Sequence, residues 1–224
     1  LMPGVGFGVV PTEAAAVLAV RELGDEARRI VIAYETVGEP SRGTLRTVLG
    51  SIHHEGVRRM GGVLVPVPPG SDTFSVESPK AQFKAVLNPW RADLVSVFHS
   101  TGVETITTYS TFPGAARLMM RAPGIMEWGF VQKALGNLIA RSPRGPTNAE
   151  MGAGQTTSVA VAYSEDNQSV AAIRGPDAYL FSAMTAVECA LRATETDASG
   201  FSTPAQRFGV EHLFELDGVT RLDS

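Results

Sequence analysis

Few residues of this chain have types and spacings that could do chemistry. Gly4, Gly6 and Gly8 open it, but they are spaced by two, so a dinucleotide-type G-x-G-x-x-G fails at Val9, and no strand pattern precedes them. They read as a turn or a close backbone approach. Gly152-Ala153-Gly154 is followed by a strand pattern instead of a helix, and neither a phosphate-binding Walker loop nor a G-x-S-x-G elbow occurs. His53 and His54 are adjacent, so a regular helix cannot turn both toward one metal. A solvated pair is expected. His99 and His212 have the chemistry of an acid or base, but no third group at a recognisable spacing supports either. Cys189 sits among Val187, Ala190 and Leu191 and reads as a small core thiol, with Glu188 set to pair with Arg192 four residues on.

With Cys189 as the single cysteine, an intrachain disulfide and a thiolate metal cluster are both excluded. No metal site is expected, and the cysteine usage suits a reducing, cytoplasmic compartment. The 224 residues are 44% hydrophobic and 19% charged, the composition of a globular chain able to bury a core. A net charge of −4 makes a general nucleic-acid binder an unfavourable reading. The short pairs Arg28-Arg29 and Arg58-Arg59 are expected only to solvate the ends of elements. No run is long and apolar enough to span a bilayer.

Periodicity supplies the elements that must position these groups. The opening, through Val9-Val10-Pro11-Thr12-Glu13, reads as a loop running into a helix, as if continued from something longer. Thr12 is the expected N-cap, with Glu13 in the first turn, Ala14, Ala15, Val17, Leu18 and Leu23 on an apolar face and Gly24 as the stop. Residues 28–37 alternate as a strand, and 41–55 read as a helix. Gly61-Gly62 marks a hairpin, 74–77 and 82–87 continue the strands, and Pro66, Pro68 and Pro69 mark a sheet edge or an exit from it. Residues 103–111 are a further strand. A second hairpin joins 156–163 to 169–174, Asp177 caps a helix to about Thr194, and Thr203-Pro204-Ala205-Gln206 is a capping box with proline at the first helical position.

Between these lies an apolar, Met-rich helical stretch, Pro113 to Ala140, broken at Pro123-Gly124. Its residues Met119, Met120, Ile125, Met126, Trp128, Phe130 and Leu135 are interrupted by Arg117, Arg121, Glu127 and Lys133. Core or dimer packing is the plain reading, and a lipid-facing or substrate-facing groove is the sharper one. Arg141 to Gly154, dense in Pro and Gly, reads as a mobile loop. The irregular mixture of strands and helices predicts one α+β domain over 1–224, with a mainly antiparallel sheet and helices largely on one face.

Three segments, in order, carry a resemblance. Gly6-Phe7-Gly8-Val9-Val10-Pro11-Thr12-Glu13 resembles the G-F-D-x-x-P-S/T-D segment of saccharopine dehydrogenase-like oxidoreductases, the group that includes the trans-acting enoyl reductases. Ser41-Arg42-Gly43-Thr44 resembles that family's S-x-G-T segment. Asp177-Ala178-Tyr179 through Glu188, then Gly200-Phe201-Ser202-Thr203-Pro204-Ala205, resembles its closing helix and G-x-x-T-P-A turn. The chain departs from the family at Gly8 and Glu13, where Asp is common.

The resemblance implies an NAD- or NADP-binding Rossmann domain upstream. It also implies that this chain is the following α+β domain, similar to the C-terminal domain of glyceraldehyde-3-phosphate dehydrogenase, which closes over substrate and mediates homodimerisation. Residues 1–12 would then be a linker from the cofactor domain, 200–224 the closing capped helix and tail, and no cofactor would bind this chain alone. Phe7, Val10, Pro11 and Thr12 would lie at the domain junction. Ser41, Arg42, Gly43 and Thr44 would form a helix start suited to an anionic group of a small-molecule substrate. No catalytic residue carries over, and no basic cluster suits the several carboxylates of saccharopine. Two other readings stand beside this one. One is a stand-alone, non-catalytic module that binds a hydrophobic ligand or protein partner, with peripheral lipid contact left open; the other is a purely structural dimerisation domain.

Overall fold

The computed structural model describes residues 1–51, 55–68, 70–78, 81–88, 92–121, 124, 128–195 and 199–222. The His53-His54 pair, Pro69 and Pro123 lie outside the described residues. The strands are β1 (Arg29–Val37), β2 (Gly56–Met60), β3 (Val63–Val67), β4 (Thr73–Ser78), β5 (Ala81–Leu87), β6 (Thr105–Ser110), β7 (Gln155–Tyr163), β8 (Gln168–Pro176) and β9 (Thr220–Leu222). They form an open mixed sheet in the order β3-β2-β6-β1-β7-β8-β9, with β5 also pairing β6 and β4 pairing β5. The β1–β6 pair is parallel and the others are antiparallel, so the fold is α+β.

Strand β1 shows how the layers are set. Its period of two turns Ile30 and Ile32 to one face and Val31 and Ala33 to the other. The first face packs with Ile106, Ala160, Ala162, Ala171 and Ile173 against helices. These are α1 (Val10–Leu23), α3 (Asp93–Thr101), α7 (Ala178–Thr194) and α8 (Pro204–Phe208). The second face packs Tyr109, Val159 and Ala172 under the β4–β5 hairpin through Val76, Ala81, Ala85 and Leu87. A third, thinner cluster joins α2 (Arg42–Ser51), α4 (Gly114–Arg121) and α5 (Gly129–Arg141), with Val86, Ala116 and Met120 buried and Val48, Leu49, Val131 and Leu135 half-buried around them. Four helices thus share one sheet face, and three make a separate layer.

Local chemistry explains most boundaries. Gly61 and Gly62, both left-handed at φ 55° and 80°, allow the two-residue turn between β2 and β3. Pro66 falls on β3, the edge strand of that end, where its missing donor costs nothing. At Gly175 in β8 an added Cβ would stand 2.4 Å from the Phe181 ring, so this glycine lets Phe181 of α7 lie directly on the sheet.

Three expectations are corrected. Helix α1 begins at Val10, with Pro11 in its first turn, where proline's fixed φ is already helical. Thr12 is therefore inside the helix, its Oγ1 donating back to the Val9 carbonyl at 3.0 Å, and is not the N-cap. Residues 141–154 are not all loop: Thr147 and Glu150 form a capping box that starts α6 (Asn148–Ala153). Arg59 does not solvate a strand end. It is buried, with Nε donating to the Leu94 carbonyl at 2.8 Å and its guanidinium 4.1 Å from the Phe98 ring centre.

Candidate functional site

The first two turns of α7 gather the segments singled out in the sequence. Asp177 caps the helix, its Oδ1 accepting from the Tyr179 and Leu180 amides at 2.8 and 3.3 Å. That fixes Tyr179, whose hydroxyl accepts from the Ser41 amide at 2.7 Å and lies 2.7 Å from Thr44 Oγ1. Either hydroxyl of the Tyr179–Thr44 pair can donate to the other. Thr44 Oγ1 in turn stands 3.1 Å from Ser41 Oγ, which also accepts from the Thr44 amide. One turn further along α7, Ser182 Oγ accepts from the Phe7 amide at 3.1 Å and donates to the Ala178 carbonyl. The Phe7 ring packs 6.1 Å from Phe181 and edge-on to Tyr34 at 5.7 Å.

The two groups of candidate residues therefore meet one helix start, but in different environments. Phe7, Val10, Pro11 and Thr12 are buried in the main core. Ser41 and Arg42 are half-buried, and Gly43 and Thr44 are exposed at the start of α2. The Arg42 side chain donates through Nε and Nη2 to the Ser142 carbonyl, and its amide donates to the Arg144 carbonyl at 3.2 Å. Arg42 thus fastens the 142–144 segment over the start of α2. What this edge offers a ligand chemically is a set of linked hydroxyls, Tyr179, Thr44 and Ser41, that reaches the surface at Thr44.

Glu13 is a larger surprise. It is fully buried, with Oε1 accepting from Ser100 Oγ and Oε2 accepting from the Ala205 amide at 3.4 Å. Ser100 Oγ lies 2.8 Å from Thr203 Oγ1. Burial pushes the Glu13 carboxyl above its usual range, and the hydrogen bonds from Ser100, Thr203 and Ala205 oppose that rise. The group locks α1 to α3 and to the start of α8, joining the first and last motif segments. Its position in the first turn had pointed only to a helix-dipole role. The remaining signal for it was the Thr203 capping box, which needed a buried acceptor for the Ala205 amide.

The other titratable candidates are structural. His212 is buried, and burial pushes its imidazole toward the neutral form. The His99 ring packs against Phe98 and Phe201, and its carbonyl accepts from Gln206 Nε2 at 2.6 Å. Cys189 is buried, and desolvation, then the Glu188 charge, pushes its thiol up to about 11. Glu188 pairs with Arg192 at 2.5 Å. Among the described residues no cluster of His, Cys, Asp and Glu is placed to hold a metal, and no helix is long and apolar enough to cross a membrane. A polar groove lies at the opposite end of the β7–β8 hairpin, lined in part by Glu22, Glu26, Asn167 and Ser169. Its Glu22 carboxylate is already shared between Ser169 and Arg221, each at 2.6 Å.

A nicotinamide dinucleotide does not fit the glycine loop. The Gly6 carbonyl accepts from the Val9 and Val10 amides, closing the loop on itself, so these two amides at the start of α1 are already engaged where a pyrophosphate would need free donors. Gly4, Gly6 and Gly8 thus serve a turn.

No family model matches the chain, and no curated protein matches it. Among solved structures, apo histidine-tagged saccharopine dehydrogenase (L-Glu forming) from Saccharomyces cerevisiae is similar, with 10% sequence identity, 96% of this chain and 72% of that chain covered, and a TM-score of 0.48.

Proposed function

We propose that this chain is the substrate-binding and dimerisation domain of a saccharopine dehydrogenase-like, NAD(P)-dependent oxidoreductase, and that it is not catalytically complete alone. The observation that carries the reading is the convergence at α7. Phe7 from the first motif segment and Ser41 and Thr44 from the second both bond to the helix that opens the third, through Ser182 and Tyr179. Segments far apart in sequence that resemble one family in order are thus also joined in space. The cofactor belongs on another domain, because the glycine loop here does not suit its pyrophosphate.

In this reading the chain's own residues bind and orient substrate and exclude water, while the nicotinamide supplies hydride. Ser41, Arg42, Gly43 and Thr44 form the polar rim of the cleft, with the hydroxyls linked to Tyr179 aimed at a substrate oxygen. Phe7, Val10, Pro11 and Thr12 form the packed base beneath the domain junction. The second reading, a stand-alone module for a hydrophobic ligand or partner, is favoured by the exposed Leu118, Phe130 and Leu138 of the α4–α5 layer.

The test is a fluorescence titration of the natural polypeptide with NADH and NADPH. Saturable binding of either supports the oxidoreductase reading. A natural polypeptide that binds neither overturns it and leaves the binding module.

A further inference from the structure

The helical layer formed by α2, α4 and α5 is unlike the rest of the molecule in two independent respects. The first is charge. Residues 113–147 hold Arg117, Arg121, Lys133, Arg141 and Arg144 against the single acid Glu127, and α2 adds Arg42 and Arg46 with no acid. The layer therefore carries six net positive charges in a chain whose total is −4, which leaves ten net negative charges on everything else. Arg46, Arg117, Lys133, Arg141 and Arg144 are exposed. Among the described residues none of these five has a carboxylate at ion-pair distance.

The second is apolar exposure. Helix α5 has no buried residue, although Phe130, Val131, Leu135, Leu138 and Ile139 lie along it. Val131 and Leu135 turn inward to the thin cluster shared with α2 and α4. On the outward side, Phe130 is 70% exposed and Leu138 is 67% exposed, two turns apart on one stripe with Ala134 between them. Leu118 of α4 is 69% exposed, and Trp128 stacks on Phe130 with ring centres 5.7 Å apart. Lys133 and Arg141 each follow an outward apolar residue by three positions, so both lie along the same side of the stripe.

We propose that this layer is a peripheral membrane-binding face that docks on an anionic bilayer surface. A helix lying in the interfacial plane needs an apolar stripe to bury among the acyl-chain ends and basic side chains beside it to reach the headgroups. Trp128 at the start of α5 supplies the aromatic residue favoured at headgroup depth. Charge complementarity favours this occupant: an anionic lipid surface neutralises the layer, whereas a second copy packed face to face through the same layer would bring the same six positive charges against it.

The experiment is co-sedimentation of the protein with phosphatidylcholine vesicles and with vesicles containing phosphatidylserine, over a range of salt. The expected result is binding to the serine-containing vesicles that weakens with salt. Each neutralised cation should weaken it about fivefold, the ~1 kcal/mol that one Lys or Arg contributes near such a surface, so Lys133→Gln with Arg141→Gln should cost about twentyfold or more. Phe130→Ser with Leu138→Ser should abolish binding, with an unchanged melting temperature as the control for folding. If that pair fails to fold, the Lys133 and Arg141 pair decides. Equal binding to both vesicle types, or none to either, overturns the proposal. A concentration-dependent dimer that Phe130→Ser disrupts, without vesicle binding, overturns it in favour of a second copy. Vesicle binding and nicotinamide binding are separate readouts, so this proposal and the oxidoreductase reading can fail independently.

Discussion

The buried carboxyl of Glu13 makes a quantitative prediction about stability. Its folded-state pKa lies above the ordinary 4.5 because burial penalises the anion more than Ser100, Thr203 and Ala205 relieve it. The folded chain therefore holds this proton more tightly than the unfolded chain. The stabilisation is complete below 4.5 and is lost as pH rises through the folded value, beyond which it stays constant. Glu13→Gln removes the titration while keeping an acceptor for Ala205 and a donor for Ser100, which can itself donate to the Ser96 carbonyl. The stability of Glu13→Gln relative to the natural chain should thus rise with pH above 4.5 and reach a plateau. Glu13→Ala instead leaves the Ala205 amide without its acceptor and opens a cavity against α3. It should cost about 2–4 kcal/mol at the acid end of the range, from the unpaired donor plus the lost packing, and less as pH rises, because it removes the same titration. Urea unfolding of the three proteins across pH 4 to 8 (roughly the range in which a raised carboxyl titrates) reads both effects. Parallel pH profiles for the natural chain and Glu13→Gln would mean that Glu13 does not titrate differently on folding.

Three further outcomes are expected. Gly175→Ala should destabilise by about 1–3 kcal/mol, since its Cβ would meet the Phe181 ring and a rigid ring on a sheet has little room to yield; a thermal melt that does not move would count against the packing described here. Tyr179→Phe should cost about 0.5–1.5 kcal/mol and speed hydrogen exchange at the Ser41 amide, which loses its acceptor; unchanged exchange there would show that this hydrogen bond is not formed in solution. With its thiol pushed up to about 11 from an ordinary 9.0, native Cys189 should react with a disulfide reagent at mildly alkaline pH roughly tenfold more slowly than in the unfolded chain before any steric protection is added, a roughly 100-fold loss of thiolate being partly offset by its greater nucleophilicity; equal rates would show the thiol to be accessible.

What could be read from the sequence was local. The hairpin at Gly61-Gly62, the β7–β8 hairpin, the Asp177 cap and the Thr203 capping box each depend on residues a few positions apart, and each is present. What could not be read depends on distant pairings. The Glu13 contact to Ala205 spans 192 positions and the Tyr179 contact to Ser41 spans 138. No periodicity encodes them, and residue type misleads for Glu13 and Arg59, since charged side chains are rarely buried. Helix α6 is a different case. Its Thr147–Glu150 box is as local as the others, but it is hidden among Pro143, Gly145, Pro146, Gly152 and Gly154, whose turn chemistry dominates the segment. For the candidate site, the sequence supplied the pieces, Phe7 to Thr12 and Ser41 to Thr44. It did not supply the helix start that holds them together, because a tyrosine hydroxyl and a serine hydroxyl near a helix cap look like ordinary solvent-facing groups until their partners are known.

The central claim, that this chain is one domain of a larger oxidoreductase, is tested most directly by the intact mass of the natural polypeptide in its source cells. The expected product is longer than 224 residues by one cofactor domain, on the order of 100–150 residues. A natural product of 224 residues would contradict it.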